Sequence, residues 1–521
     1  MDFQGHMQYI VSVDIGTTTI RACLYGKSCN KLKVAEEKVD IEISGQDEWE
    51  LRVEIAPEKL LEQFIRVVQS VLKDVSAEDS VAMALCCQRN SFVFWKKSTG
   101  KPLHKIVCWN DARARKSCED WNGSVFIKML NAGGSFLHFF TRMPRFMAAK
   151  NLKFLSAMVT HRALVTLETI PGHKALINDN DLGFGCLETW LINRISVSDN
   201  YLADASNISS TGLYDPYING YNNVIIKILG FPTSILAPIC DSISSKELCF
   251  IKESFFGRKI PISAILADQQ SALYGSGGWD LHDVKISLGT GTFVDMNTGN
   301  KPHASMNGLY PLVGWRMNNT PVYIAEGNDH DTAVLLKWAG EIGLFENVQD
   351  TSDMAFAVKS TNGLLFVPAF GGLQTPINDG LACCSFMGLR PDTKKVHMVR
   401  AILESIVYRV YQIYQTMMDE VKPTKTSKIR ICGGVAHNDF VCQSISDMLN
   451  CEIERVTDGG LVACRGVALL AGVQLGLWKE ADLPNMISIE SVFKPNADSR
   501  RVLVKTFPLW LQAVKRSTKF Y

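Results

Sequence analysis

Two short segments rich in glycine and threonine lie more than half the chain apart, and each stands between two apolar runs. Residues 14–19 read Asp-Ile-Gly-Thr-Thr-Thr, and residues 287–292 read Ser-Leu-Gly-Thr-Gly-Thr. Both patterns predict a strand, a tight turn and a second strand, because glycine lets the backbone turn sharply and approach a ligand closely. Threonine hydroxyls and backbone N–H groups in such turns can hold phosphate oxygens. The two segments together predict two domains that hold one polyphosphate between them.

Length and patterning indicate a multidomain protein of α/β class. A chain of 521 residues usually forms about two to four domains. Strand-like and helix-like patterns alternate after each glycine-threonine segment, which indicates layers of both elements. The sequence Gly-Ser-Gly-Gly at residues 275–278 interrupts this alternation. We therefore expect one domain at residues 1–275, a second at residues 283–478 and a C-terminal extension at residues 479–521.

Apolar periodicity predicts several individual elements. Buried strands are expected at residues 81–85 and 428–432, and helices at residues 183–195, 399–418 and 462–476. The stretch after Pro495 is basic and weakly patterned. From this weak patterning we expect the stretch to form a surface appendage.

Composition and charge exclude several function classes. Hydrophobic residues make up 46% of the chain and charged residues 21%, which is typical of a soluble globular protein. The net charge of +1 predicts neither a nucleic acid partner nor an acidic membrane partner. No apolar run is long enough for an integral membrane segment, and residues 1–8 do not resemble a signal peptide. Fifteen scattered cysteines indicate reduced buried thiols, so we expect a cytoplasmic protein.

Eight short motifs follow one another in an informative order. They lie at residues 14–21, 88–89, 109–113, 185–191, 267–273, 289–291, 368–370 and 433–440. In this order they resemble the motifs of the FGGY family of carbohydrate kinases, and most of all those of its glycerol kinases. The resemblance extends from about residue 9 to residue 478. It implies two ribonuclease-H-like domains of the actin-like ATPase type, with ATP bound in the cleft mainly to the second domain and a polyol bound mainly to the first.

The resemblance implies ATP-dependent phosphorylation of glycerol to glycerol 3-phosphate. Phosphoryl transfer needs a positioned nucleophile, charge neutralisation and exclusion of water. Asp268 follows an apolar run at residues 262–267, so it should lie at a strand end, where it could accept the proton of a substrate hydroxyl. Without the resemblance, Asp268 would more often be a cap of the helix expected at residues 269–274. The two roles can coexist.

Asp14 is the candidate ligand of Mg²⁺, which usually binds one or two carboxylates together with substrate phosphates. An aspartate that starts a turn is the alternative interpretation. The resemblance also implies a set of ATP-binding residues in both domains. These are Thr17, Thr18, Thr19, Arg21, Gly289, Thr290, Ala333, Lys337, Gly434 and Asn438. Arg21 could instead be a solvated strand residue, and the Gly433-Gly434 pair is a common turn signal.

The implied substrate-binding residues are Arg89, Asn90, Trp109, Phe139, Asp268, Gln269 and Phe293. Trp109 and Phe293 would form apolar walls, although aromatic residues near loops are more often part of the core. Two positions depart from the glycerol kinases. Asn90 replaces a glutamate, and an amide carries no charge and adds a donor. Phe139 aligns with a tyrosine and lacks its hydroxyl. Since a pocket selects substrates through paired hydroxyls, a kinase of another small polyol or sugar is an alternative.

The nucleotide side also departs from the family. Lys337 replaces a glutamine, Ala333 a glycine, Cys432 an aspartate and Cys383 an arginine. These changes support a second alternative, a regulatory homologue with weak turnover, whereas the retained Asp14, Thr18 and Asp268 argue against it. His330 stands between Asp329 and Asp331, but three adjacent side chains rarely converge on one metal ion. Members of the family are often dimers or tetramers, which makes a homo-oligomer an expectation.

Overall fold

The computed structural model describes residues 8–45, 51–198, 200–244, 248–423 and 428–521. Within the described ranges, the first half of the chain contains two six-stranded sheets and two pairs of short strands. Its strands are β1 (Gln8–Ile15), β2 (Thr19–Tyr25), β3 (Lys31–Lys38), β4 (Ile41–Ser44), β5 (Arg52–Ile55), β6 (Ser80–Cys87), β7 (Phe92–Lys96), β8 (Lys101–Pro102), β9 (Ile106–Val107), β10 (Leu182–Cys186), β11 (Ala203–Asp204), β12 (Tyr214–Asp215), β13 (Gly220–Tyr221), β14 (Ile239–Cys240), β15 (Cys249–Phe250) and β16 (Pro261–Ala267). Its helices are α1 (Pro57–Leu72), α2 (Arg115–Gly123), α3 (Val125–Thr141), α4 (Pro144–Lys150), α5 (Val159–Thr169), α6 (His173–Asn178), α7 (Leu187–Ile195), α8 (Ala205–Ser209), α9 (Asn223–Ile228), α10 (Glu253–Phe256) and α11 (Asp268–Gly275).

The second half is built on a sheet of its own. Its strands are β17 (Val284–Leu288), β18 (Thr292–Gly299), β19 (Tyr310–Met317), β20 (Thr320–Asp329), β21 (Leu365–Val367), β22 (Ser385–Met387), β23 (Ile429–Cys432), β24 (Ile453–Val456) and β25 (Ile489–Phe493). Its helices are α12 (Ala333–Glu341), α13 (Thr351–Phe356), α14 (Lys395–Val421), α15 (Asp439–Leu449), α16 (Val462–Gln474) and α17 (Ala497–Ser517). None of the helices in the described ranges is long and apolar enough to cross a membrane.

The main sheet of the first half has the strand order β15-β16-β6-β1-β2-β3. β1 and β2 form the predicted hairpin, and Gly16 in its turn donates its N–H to the carbonyl of Thr19 at 3.1 Å. β1, β6 and β16 are parallel neighbours, with Cys87 opposite both Ile15 and Ala267. The carboxyl ends of these three strands therefore meet at one edge. Asp14, Gln88 and Asp268 lie at or directly after those ends.

The sheet of the second half has the order β19-β20-β18-β17-β23-β24-β25. β17 and β18 form the second predicted hairpin around the turn at residues 289–291. β23 is parallel to β17, and β24 is parallel to β23. Each half thus opens with an antiparallel hairpin and continues with parallel strands, as expected of two related α/β domains.

Two sequence-based expectations about elements are wrong. Residues 183–195 begin with strand β10, and the helix starts only at Leu187. Glycine is a poor helix former, and β10 is packed so closely that a Cβ on Gly183 would lie 2.5 Å from the Trp95 ring. The stretch after Pro495 is not a surface appendage. It forms α17, which buries Leu503 and Trp510 against the second sheet's helices, and the Trp510 indole N–H donates to the Phe366 carbonyl at 2.7 Å.

Helix α16 belongs to the second half of the chain but packs on the first sheet. Val467 and Leu470 share one buried cluster with Ile10, Ala84 and Ala264. α16 also crosses α11 at two glycines. A Cβ on Gly466 would lie 1.8 Å from the carbonyl oxygen of Ser271, and one on Gly275 would lie 2.2 Å from that of Val462. Backbone contact of this kind requires residues without side chains at the crossing.

We expect Gly466→Ala to lower the free energy of unfolding by about 1–3 kcal/mol, because the added methyl group forces the two helices apart. Urea unfolding followed by circular dichroism measures the loss. Gly133→Ala in α3 is the matched control, since a Cβ there meets nothing within 4 Å. In an open helix position this change should stabilise the protein slightly. If Gly466→Ala and Gly133→Ala changed the free energy of unfolding equally, the close contact between α16 and α11 would be contradicted.

Candidate active site

A cavity of about 70 Å³, lined by both polar and apolar side chains, lies between the two domains. Residues from the first domain, including the start of α11, line one side, and residues from the second domain line the other. Six of the seven sequence-predicted substrate residues line this cavity: Arg89, Asn90, Trp109, Asp268, Gln269 and Phe293. The seventh prediction, Phe139, is not brought to the cavity. It lies on α3 with 65% of its surface exposed, because the face of α3 that packs inward carries other residues.

Asp268 is the first residue of α11 and directly follows β16. Its Oδ1 accepts a hydrogen bond from the Gln269 N–H at 2.8 Å and lies 3.8 Å from Arg89 Nε. Burial raises the pKa of the Asp268 carboxyl above its usual range, and Arg89 opposes that rise. The carboxylate therefore lies at a helix start and also faces the cavity, so the two interpretations of Asp268 are geometrically compatible.

Arg89 joins the two domains through Glu326 of β20. Its Nη2 donates to Glu326 Oε1 at 2.9 Å and lies 2.8 Å from Oε2, and its guanidinium stands 5.6 Å from the centre of the Phe293 ring. Burial raises the pKa of the Glu326 carboxyl to about 8, against the opposing charge of Arg89. Within the described ranges, Arg89 Nη1 and the amide oxygens of Asn90 and Asn328 have no hydrogen-bond partner. Buried polar groups of this kind usually have partners, so these three atoms can serve ligand hydroxyls.

A buried row of charges lies behind the cavity. Lys285, Asp295 and Glu326 are cross-strand neighbours on β17, β18 and β20. Lys285 Nζ lies 2.5 Å from Asp295 Oδ2 and donates to Gln269 Oε1 at 2.8 Å. The second sheet is thus connected to the residue next to Asp268. Sequence reasoning missed this row, although charged residues inside apolar strands were a signal for it.

Asp14 is the second-to-last residue of β1 and has only 7% of its surface exposed. The Cys86 thiol donates to its Oδ1 at 3.6 Å. Burial, followed by the negative charge of Asp268, raises the pKa of the Asp14 carboxyl to about 7, and Arg21 opposes the rise. The negative charge of Asp268 thus disfavours ionisation of Asp14, and a divalent cation bound at Asp14 would reverse this effect.

The two aspartates beside His330 have other contacts in the structure. Asp329 pairs with Arg409, and Asp331 accepts from the Gly371 N–H at 2.9 Å. In the described part of the chain, no three histidine, cysteine or acidic side chains converge as a metal site. A magnesium ion held by one or two carboxylates and phosphates needs no such cluster.

The first phosphate-type turn is connected to the cavity. The Thr17 hydroxyl accepts from the Trp109 indole N–H at 2.9 Å and donates to Gln88 Oε1, also at 2.9 Å. Thr18 is exposed and Thr19 is half-buried. Arg21 donates to Glu36 at 2.9 Å on the adjacent strand, which matches its alternative interpretation as a surface strand residue.

The second phosphate-type turn meets two further segments of the second domain. The Ala333 N–H donates to the Gly289 carbonyl at 3.2 Å, so α12 starts against the turn that contains Thr290. Gly433 has a φ of 99°, and a Cβ there would lie 2.4 Å from the carbonyl oxygen of Leu288, which places Gly434 beside the same turn.

Two predicted nucleotide-binding side chains have other contacts in the structure. The Asn438 amide caps α15, since its oxygen accepts from the Val441 N–H and its nitrogen donates to Thr351, both at 3.0 Å. Lys337 is exposed on α12 and lies 3.8 Å from Glu341.

Glu188 is buried at the start of α7, under the strand that carries Cys87. The Cys87 thiol donates to it at 3.6 Å. Burial, followed by Asp204, raises the pKa of the Glu188 carboxyl to about 8. In the unfolded chain this carboxyl has a pKa near 4.3. The higher pKa in the folded protein stabilises the fold while the carboxyl is protonated. This stabilisation is lost as the pH rises from about 4.3 towards 8, by up to about 1.4 kcal/mol per pH unit.

We therefore expect Glu188→Gln to lose less stability than the wild type when the pH rises from about 6 to about 8. Urea unfolding at each pH measures the difference. Glu253→Gln, at the start of the short helix α10, is the control and should follow the wild type. A wild type and a Glu188→Gln variant with the same pH dependence would contradict the shifted pKa.

Comparison with known proteins places the chain in a family. The family model for the N-terminal domain of FGGY carbohydrate kinases matches residues 9–142, and that for the C-terminal domain matches residues 284–475. The chain is 38% identical over 516 residues to glycerol kinase 5 of Bos taurus, covering 98% of this chain and 96% of the bovine protein. It is 36% identical to glycerol kinase 5 of Homo sapiens, with the same two coverages.

Solved structures agree with the fold. Plasmodium falciparum glycerol kinase with ADP superposes with a TM-score of 0.83 at 24% identity, covering 98% of this chain and 99% of that chain. A ligand-bound xylulose kinase from Lactobacillus acidophilus superposes with a TM-score of 0.82 at 19% identity, covering 98% of both chains. The predicted two-domain, actin-like ATPase fold is confirmed. The two family models and the glycerol kinase relatives identify the protein as a phosphotransferase with an alcohol group as acceptor, and the chain belongs to the FGGY family of carbohydrate kinases.

Proposed function

We propose that the protein phosphorylates glycerol to glycerol 3-phosphate with ATP. The observation that carries the proposal is the cavity that holds Asp268 and Arg89 together with three unpaired polar atoms. Its volume of about 70 Å³ is small beside the several hundred cubic ångströms typical of pockets for larger ligands. A polyol of three carbons suits a cavity of this size better than a hexose does.

Asp268 would act as the general base. Its carboxylate accepts the proton of a substrate hydroxyl, the hydroxyl oxygen attacks the γ-phosphorus in line, and the bond from that phosphorus to the β-γ bridging oxygen breaks, so that ADP leaves. Arg89 Nη1 and the amide oxygens of Asn90 and Asn328 orient the other hydroxyls. Trp109 and Phe293 cover the carbon chain and exclude water.

Mg-ATP would bind in the interdomain cleft. Asp14 would hold the ion, whose charge offsets that of the phosphate oxygens. Thr17, Thr18, Thr19 and Arg21 are the proposed phosphate contacts of the first domain, and Gly289 and Thr290 those of the second. Ala333, Lys337, Gly434 and Asn438 are proposed around the adenosine. Because the side chains of Thr17 and Asn438 already have partners, their contribution would come from the backbone or after a rearrangement.

A second candidate is a kinase of another small polyol or sugar. Asn90 favours it, because this residue replaces the glutamate of the glycerol kinases, and an amide carries no charge and adds a hydrogen-bond donor to the pocket.

ADP release by the purified protein with ATP and Mg²⁺ tests both candidates. The acceptor panel contains glycerol, dihydroxyacetone, pentitols, pentoses and hexoses, and Asp268→Asn is the control. Turnover on glycerol that the control abolishes supports the first candidate, and preference for another acceptor supports the second. A folded protein that binds ATP but turns over no acceptor would overturn both and leave a regulatory homologue.

A further inference from the structure

The hairpin of α3 and α4 exposes a continuous apolar surface. Eight large apolar side chains within 19 residues are exposed there: Val125, Phe126, Met129, Phe136, Leu137, Phe139, Phe140 and Met143. Three of the aromatic rings contact one another, with ring centres 4.9 Å apart for Phe136 and Phe140 and 5.2 Å apart for Phe139 and Phe140. Single exposed apolar residues are ordinary, whereas a contiguous group of this size indicates a binding surface.

The opposite face of α3 accounts for the packing of this helix. Ile127 is buried, and Asn131 donates to the Leu152 carbonyl at 3.3 Å. A Cβ on Gly134 would lie 2.6 Å from the backbone nitrogen of Lys150, so α3 and α4 touch there. One face of α3 thus holds the hairpin to the domain, and the aromatic face points away from it.

The lysine and arginine residues of this segment are not balanced by acidic residues within it. Residues 121–167 contain six lysines and arginines and neither aspartate nor glutamate. Lys128, Arg142 and Lys153 are exposed, and the Arg142 guanidinium stands 5.6 Å from the centre of the Phe139 ring. Arg145 is paired with Asp215. Lys128, Arg142 and Lys153 form no ion pair with any of the described residues, although Asp120 lies beside Phe126 at one end of the surface. The apolar surface therefore lies mainly among cations, which the net charge of +1 for the whole chain conceals.

We propose that the α3–α4 hairpin docks the protein on an anionic lipid bilayer. Exposed aromatic and aliphatic side chains enter the boundary between headgroups and acyl chains, and the flanking lysine and arginine side chains contact the lipid phosphates. The 17 residues of α3 lie along the bilayer surface and do not span it.

A second copy of the chain fits this surface less well. A symmetric contact through α3 would place the same cations of both copies side by side. Like charges brought together in an interface oppose binding, and residues 121–167 supply no carboxylate to pair with them. An anionic bilayer supplies that charge.

Sedimentation with vesicles tests the docking surface. The wild type should sediment with vesicles of phosphatidylserine and phosphatidylcholine, and added salt should release it. Phe136→Ser/Phe140→Ser should lower the partition coefficient about tenfold or more, because two buried aromatic side chains are lost. Lys128→Glu/Arg142→Glu should lower it by a similar factor. The control is Ile342→Ser/Leu389→Ser, which removes exposed apolar side chains of the second domain and should bind as the wild type does.

Three results would overturn the proposal. These are a wild type that does not sediment, equal binding to vesicles of pure phosphatidylcholine, and a dimer in light scattering that Phe136→Ser/Phe140→Ser dissociates. Circular dichroism and kinase turnover in solution check that each variant is folded. If a variant fails to fold, the comparison of the two vesicle compositions with the wild type still decides the outcome.

Discussion

Asp268→Asn should lower kcat by about 10²–10⁴-fold, the usual contribution of a general base. The amide has nearly the same shape as the carboxylate, so it still accepts the hydrogen bond from the Gln269 N–H that starts α11. It cannot accept the proton of a substrate hydroxyl. Arg89 keeps Glu326 as its partner, and the cavity should remain intact. ADP release with saturating substrates measures the effect.

Asp498→Asn is a suitable control for that experiment. Asp498 is an exposed aspartate in the first turn of α17, far along the chain from the cavity residues. Its replacement removes a carboxylate at a helix start without touching the proposed site. If Asp268→Asn turned over as fast as Asp498→Asn, Asp268 would not be the base.

Lys285→Met should lower the free energy of unfolding by about 3–5 kcal/mol, the usual cost of leaving one partner of a buried ion pair alone. Lys285 and Asp295 are both fully buried, and their charged atoms are 2.5 Å apart. Methionine fills much of the lysine volume but leaves the Asp295 carboxylate without its cation. Urea unfolding measures the loss.

The double variant Lys285→Met/Asp295→Leu shows whether the unpaired Asp295 carboxylate causes the stability loss of Lys285→Met. Replacing a buried ion pair by apolar side chains is often neutral or stabilising, so the double variant should recover most of the stability that Lys285→Met loses. A double variant as unstable as the single one would show that the lost hydrogen bond from Lys285 to Gln269 matters more than the unpaired carboxylate.

Local motifs made part of the site predictable from the sequence. Both hairpins and the cavity residues Arg89, Trp109, Asp268 and Phe293 lie in or directly after short motifs whose turns and strand ends fix their positions. Roles of these residues in catalysis stay predictions. Phe139 does not line the cavity, because it lies on the exposed face of the helix at residues 125–141, where no turn or strand end fixes its position.

Other features depend on contacts that a linear pattern does not contain. Glu326 and Asn328 on β20 and His330 directly after it line the cavity. Glu326 contacts Arg89 and His330 contacts Trp109 only when the domains pack together. The expectation of no acidic membrane partner rested on net charge. That sum cancels the cations of the α3–α4 hairpin against acidic residues elsewhere.

The position of α16 has a consequence for how the chain folds during synthesis. All strands of the first sheet have been made once residue 267 leaves the ribosome, but one face of that sheet is covered by a helix that begins at Val462. Until then Ile10, Ala84 and Ala264 lack the apolar side chains that α16 contributes to their cluster. The first domain therefore cannot complete its core as an independent N-terminal unit, and a nascent chain arrested before α16 would expose a surface that chaperones recognise.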